Sequence, residues 1–161
     1  MVRMTVAHLG LDRSTNTPVV VLKELAGERT LRIFIGTPEA SAIALELGGE
    51  SPARPMTHDL LKHLLVGLGG ALRRVAITGL RDNTYFAELL VYRGEQAIEI
   101  DSRPSDAIAL ALRTDAPIFV SEEVIDGGGG PSDGPPTESS ADQLKKFLSK
   151  LDPQDLGRFQ L

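Results

Sequence analysis

Two short stretches of this chain gather the side chains that can move protons, hold anions or bind metal ions. They are Arg54-Pro55-Met56-Thr57-His58-Asp59 and Asp101-Ser102-Arg103-Pro104-Ser105-Asp106. Histidine titrates near neutrality, so His58 can act as a general acid or base. The carboxylates of Asp59, Asp101 and Asp106, together with Glu39, are oxygen donors of the kind that suit a hard divalent cation such as Mg²⁺ or Mn²⁺. Arg54 and Arg103 carry guanidinium forks that match a phosphate, and the hydroxyls of Thr57 and Ser105 can donate to the same anion. A metal ion, two arginines and a histidine make a workable kit for phosphodiester hydrolysis. On this reading His58, Asp59, Asp106 and Arg103 do the catalytic work. Arg54, Thr57, Ser105 and Arg103 hold substrate, and Glu39, Asp59, Asp101 and Asp106 hold the metal. Taken singly, the same residues also describe ordinary helix starts, where free N–H groups and the dipole favour an acid.

The elements that must bring them together follow from local pattern. Pro104 suits a first helical position, where its missing N–H has no intrahelical partner, and it pushes Arg103 toward the extended conformation of an N-cap. The helix that follows, Ala107-Ile108-Ala109-Leu110-Ala111-Leu112-Arg113, is apolar almost all round and is expected to be buried. Gly36-Thr37-Pro38-Glu39 opens an earlier helix, with Thr37 expected as its cap and Gly48-Gly49 as its stop. A third helix begins at Thr57, again read as the cap, and ends near Gly69-Gly70. Its Leu60, Leu61, Leu64, Leu65 and Leu68 form one broad apolar face. Three helices thus begin with polar chemistry at their positive ends, and convergence of those ends would create an anion site.

β-branched runs predict strands over residues 2–9, 18–24, 30–35, 72–78, 84–93, 96–101 and 117–120. The whole reads as an α+β domain with a mixed or antiparallel sheet and helices packed on it. Ile33 to Ala40 and Ile98 to Ala107 resemble one another, each leading from a hairpin through a short strand into a Pro-initiated helix. This suggests a ββα duplication; favoured helix-start chemistry alone would give the same likeness. The main domain is expected over 1–126. A Gly/Pro-rich linker follows over 127–140, then a tail over 141–161 holding an amphipathic helix with Leu144, Phe147, Leu148 and Leu151 on one side.

Composition narrows the function classes. The chain has 161 residues and no cysteine, so disulfides, thiolate metal sites and cysteine nucleophiles are excluded. No apolar run approaches a membrane span, and the N-terminus reads as a strand and not a leader, which makes the cytoplasm the default compartment. Residues 1–120 hold 13 Lys+Arg against 14 Asp+Glu, and residues 121–161 hold 4 against 8. The acidity therefore lies in the tail, and neither part has the basic excess that tight, sequence-independent DNA binding requires. Aromatics make up 4% of the chain with no Trp, so base stacking is poorly supported. The sequence contains no phosphate-binding loop, dinucleotide fingerprint or nucleophile elbow, and no organic cofactor is expected.

Taken together, Thr17-Pro18-Val19-Val20, Ile33 to Gly36 with Glu39-Ala40, Arg54 to Leu60 and Asp101 to Leu112 resemble the bifunctional nuclease family, also called domain of unknown function 151. The resemblance covers roughly residues 2–126. It implies an α+β fold, nuclease activity on DNA and RNA, nucleic acid as a weakly bound substrate, and homo-oligomers. Thr57, His58, Asp59, Asp101, Arg103, Ser105 and Asp106 are its motif positions. The expected function is hydrolysis of phosphodiester bonds assisted by a divalent metal. The alternative is a non-catalytic regulatory or scaffold domain that binds an anion or nucleotide in the same place.

Overall fold

Strand order, more than any single element, explains how the two polar stretches meet. The computed structural model describes residues 1–12 and 14–128. Three strands come first, β1 (Val2–Leu11), β2 (Pro18–Glu24) and β3 (Thr30–Phe34), followed by helices α1 (Thr37–Leu47) and α2 (Thr57–Gly67). Then come β4 (Gly70–Arg81), β5 (Thr84–Arg93), β6 (Gln96–Ser102), α3 (Pro104–Thr114), β7 (Ile118–Val120) and α4 (Glu122–Gly128). All seven strands form one mixed sheet in the order β3-β2-β1-β7-β4-β5-β6. The α+β class with helices packed on a mixed sheet is thus the observed one.

The order reads the same from either edge. Each half is an antiparallel three-stranded meander whose last strand is an edge of the sheet and leads into an 11-residue helix. β7 joins the halves, antiparallel to β1 and parallel to β4. The expected ββα unit is therefore a βββα unit present twice, with α2 between the copies. The helix starts correspond as well. Gly36 and Arg103 are extended N-caps, and Glu39 and Asp106 both sit at the third helical position.

Residues paired across strands share a face, so register identifies the core. The row Val2–Val120–Ile77–Ala87 lies on one face and is buried throughout. The next row, Arg3–Phe119–Ala76–Glu88–Asp101, lies on the other. Ile43 of α1, Ile108 of α3 and Val124 of α4 complete the core with the first face, and α1 packs on α3. Eight of the eleven residues of α3 are buried, as its apolar circumference requires. No helix among the described residues is long and apolar enough to cross a membrane.

Several local expectations shift. Thr37 is the first helical residue of α1, with Gly36 as N-cap. Thr57 likewise moves one place inward, with Met56 as N-cap, because the Asp59 carboxylate accepts the Met56 backbone N–H at 2.9 Å. That bond is half of a capping box and does the work expected of a threonine cap. Leu60, Leu61, Leu64 and Leu68 of the expected leucine face point outward, while its Leu65, with His58 and Lys62, turns toward the protein. α4 continues to Gly128, two residues into the expected linker. The rest of the expected linker and the tail helix lie outside the described residues.

Candidate functional site

Folding brings His58 and Asp106, 48 residues apart, into hydrogen-bond contact: His58 Nε2 lies 3.0 Å from Asp106 Oδ1. The other carboxylate oxygen, Oδ2, accepts from Arg103 Nε at 2.7 Å. Arg103 Nη2 then reaches Glu39 Oε1 at 2.9 Å, closing a chain of four side chains drawn from the starts of α1, α2 and α3. The meander pair makes this contact by placing the N-termini of α1 and α3 side by side. The second helical position of α2 sends His58 inward, leaving it 7% exposed.

The proton positions follow from charge. Burial pushes the Asp106 carboxyl up, but hydrogen bonds from Arg103 and His58 and the charges behind them outweigh that, holding it below the usual carboxylate range. Asp106 is therefore ionised at neutral pH and can only accept, so the Nε2–H of His58 donates to it. In the neutral imidazole the lone pair is then on Nδ1, which bonds none of the described residues. Among those residues no fully buried side-chain nitrogen or oxygen lacks a partner, so Nδ1 is the ring atom left open to a proton from outside. Arg103 commits Nε and one Nη2 hydrogen to the two carboxylates, and its side chain stays 67% exposed. Its Nη1 is the donor that an incoming phosphate oxygen would meet.

Asp59 belongs to a second arrangement. Its Oδ1 accepts from Arg113 Nε at 2.6 Å while its Oδ2 caps α2. Burial raises its pKa, but the bonds from Arg113 and the Met56 N–H bring the net shift below the ordinary value. Arg113 is only 6% exposed; its other nitrogens donate to the carbonyls of Ala109 at 2.9 Å and Ala42 at 3.1 Å. One buried guanidinium thus fastens α1, α2 and α3 together. Arg113 is not among the site residues expected from the sequence. The available signal was its position seven residues after Asp106, two turns on and on the same face.

The remaining expected residues fall elsewhere. Asp101 lies on edge strand β6, paired with Glu88 on the sheet face turned away from the helices, so it does not join Asp106. Arg54 and Thr57 are exposed ahead of His58, and Ser105 is buried in the first turn of α3. Among the described residues no three His, Cys, Asp or Glu side chains group to hold a metal ion. The set Glu39, Asp59, Asp101 and Asp106 is not assembled, for a physical reason. Asp106 and Glu39 share one guanidinium, Asp59 is spent on another, and Asp101 is across the sheet. The donors therefore do not fit a resident Mg²⁺ or Mn²⁺.

The bifunctional nuclease domain model matches residues 20–132, a span that holds Glu39, His58, Arg103, Asp106 and Arg113. The chain belongs to the bifunctional nuclease family. Among its relatives, an uncharacterized protein of Mycobacterium tuberculosis is 39% identical over 163 residues, covering 96% of this chain and 98% of its own. Bifunctional nuclease 1 of Oryza sativa subsp. indica is 27% identical over 150 residues, covering 89% of this chain and 45% of its own. Bifunctional nuclease 1 of Arabidopsis thaliana is 29% identical over 109 residues, 65% of this chain and 34% of its own. This chain therefore spans less than half of either plant relative.

Proposed function

We propose that this chain hydrolyses phosphodiester bonds of DNA and RNA, with His58 as general base and Asp106 as the group that orients it. The supporting observation is the 3.0 Å contact between His58 Nε2 and an ionised Asp106, which leaves Nδ1 with the lone pair. Nδ1 takes a proton from the attacking water. Arg103 Nη1 offsets the negative charge that builds on the phosphate oxygens, and the imidazolium returns its proton to the departing oxygen. Glu39 keeps the Arg103 fork in place. Family membership and the plant relatives called bifunctional nucleases support the substrate class. Because the donors do not fit a resident metal, no step is assigned to one.

The test is cleavage of single-stranded DNA and RNA by the purified chain, in EDTA and in added Mg²⁺ or Mn²⁺. His58→Ala is expected to lower the rate by roughly 10²–10⁴, the usual contribution of a positioned acid–base group. Equal rates in wild type and His58→Ala would refute the role given to the imidazole. A rate seen only with added metal would call for ligands recruited with substrate.

A second reading rests on the burial of His58. In it the exposed Arg103 takes a small anion or nucleotide without the histidine being reached, and the domain is a regulator or scaffold. Absence of cleavage under every condition, with saturable nucleotide binding abolished by Arg103→Gln, is the outcome that selects it.

A further inference from the structure

Over residues 1–120 bases and acids nearly balance, but the folded sheet separates them. Arg3 of β1, Lys23 of β2, Arg32 of β3 and Arg74 of β4 are exposed on the face turned away from the helices. Register places them there. Arg3 pairs with Phe119, Lys23 with Thr5, and Arg32 with Val21 and through it His8. Arg74 lies two residues before Ala76, the partner of Phe119. The five adjacent strands β3, β2, β1, β7 and β4 contain one acid, Glu24. Its partner Met4 is on the core side, and its carboxylate is taken by Arg29. None of the four cations forms an ion pair among the described residues. The strand acids of this face, Glu88, Glu99 and Asp101, lie on β5 and β6 toward the opposite edge. Burial and the nearby Arg32 charge push the His8 pKa down, which fits their shared row. Phe34 completes the basic half, 55% exposed at the end of β3 and paired with Val19.

We propose that this basic half-face holds a single strand of RNA or DNA, apart from the His58–Asp106 pair on the other side of the sheet. The four cations span five neighbouring strands, a width of about 19 Å at the usual strand spacing. A polymer with one charge on every repeat is the partner that meets all four at once. Phe34 decides between forms of nucleic acid. An exposed ring stacks on an unpaired base, whereas a duplex keeps its bases stacked inside. The acids on β5 and β6 repel phosphates and so confine the strand to the half between β3 and β4. This surface adds a holding site that the hydrolytic site does not contain, and it lets a chain of net charge −5 engage an anion. It stands without the hydrolytic reading, because none of its residues belongs to that site.

The test is fluorescence anisotropy of a labelled oligouridine of about 15 nucleotides, titrated with the full-length His58→Ala chain in EDTA so that the probe stays whole. Four phosphate contacts on a single strand are expected to weaken binding about 50-fold between roughly 50 and 200 mM salt. Removing two of them in Lys23→Ala/Arg32→Ala is expected to cut that salt effect to about 7-fold. Phe34→Ala is expected to lower affinity roughly tenfold and leave the salt effect unchanged. All three side chains are exposed, so melting temperatures stay near that of the parent. Arg93→Ala removes an exposed cation from the other side of β5 and is expected to bind as the parent does. An equal loss in Arg93→Ala, a duplex of the same length bound as tightly, or no binding at the lowest salt overturns the proposal. Unchanged oligouridine binding in Lys23→Ala/Arg32→Ala, with loss of binding to phosphatidylserine vesicles, also overturns it by assigning the face to a membrane surface.

Discussion

The two halves of this molecule are built alike and equipped differently. Each is a three-stranded meander leading into an 11-residue helix, with an extended N-cap and an acid at the third helical position. In the first half the cap is Gly36, and the acid, Glu39, reaches across to the other half for its cation. In the second half the cap is Arg103, which binds both acids, and the helix also carries Arg113 on its buried side. The repeated unit supplies two helix starts side by side. Two arginines present in one copy only, and the α2 segment between the copies, turn that arrangement into a site. The candidate site lies in the departure from symmetry.

The most severe way to break this asymmetry is Arg113→Met. It would leave Asp59 Oδ1 without its charged partner and cut the ties to the Ala109 and Ala42 carbonyls, and removing one partner of a buried ion pair costs about 3–5 kcal/mol. For a domain of this size a fall in melting temperature on the order of 10 °C or more is expected, read by circular dichroism. A variant as stable as wild type would show that Arg113 does not fasten the helices.

Asp106→Asn removes charge but keeps shape. It is expected to cost about 1–3 kcal/mol of stability and to lower cleavage more than folding. Denaturation and rate measured on the same preparation separate the two. Should stability fall while the rate holds, Asp106 is a fold determinant alone.

Acid should probe both arginine pairs together. Asp59 and Asp106 titrate lower in the folded chain than in the unfolded one, so as pH falls the unfolded chain takes up protons first. Their contribution is complete above the ordinary carboxylate range and drains away as pH drops toward the folded values. Urea unfolding free energies between about pH 6 and pH 2 are expected to decline, and to decline less steeply in Asp106→Asn. Parallel profiles would mean the pairing contributes nothing to folding.

The mildest change is Gly36→Ala, which moves the first half's cap toward the second's. A Cβ at Gly36 would meet the Glu39 carboxylate, the far end of a flexible side chain, and displace it from Arg103. A loss of under about 1 kcal/mol is expected for an exposed, partly screened contact. The matching readout is greater mobility of the Arg103 side chain by NMR. An unaltered Arg103 signal would show that Glu39 does not hold the fork.

Much of this could be read from the chain. Proline position, first-turn acids and the apolar run from Ala107 to Leu112 were enough to place α3, its burial and its Arg103 cap. The likeness between Ile33–Ala40 and Ile98–Ala107 anticipated the repeated unit. Other features depended on long-range geometry. The outward leucines of α2 defeat a periodicity argument, because period shows that a face exists and not which way it points. Asp101 is expected with Asp106 among the carboxylates of one metal site. Yet an edge strand alternates faces, and its register with Glu88 sends it across the sheet. His58 and Asp59, neighbours on a helix, point about 100° apart, and the sequence does not show that Asp59 meets Arg113 while His58 meets Asp106. The threonine cap of α2 failed locally, because an acid at the third helical position already serves the Met56 N–H.

The claim on which the rest turns is that His58 and Asp106 act as one unit on the substrate. A double-mutant cycle measures it, using cleavage rates of wild type, His58→Ala, Asp106→Asn and the double variant, each checked for folding. Loss of either partner is expected to cost nearly as much as loss of both, as for groups that work through each other. Strictly additive losses, or a wild-type rate in either single variant, would contradict the account.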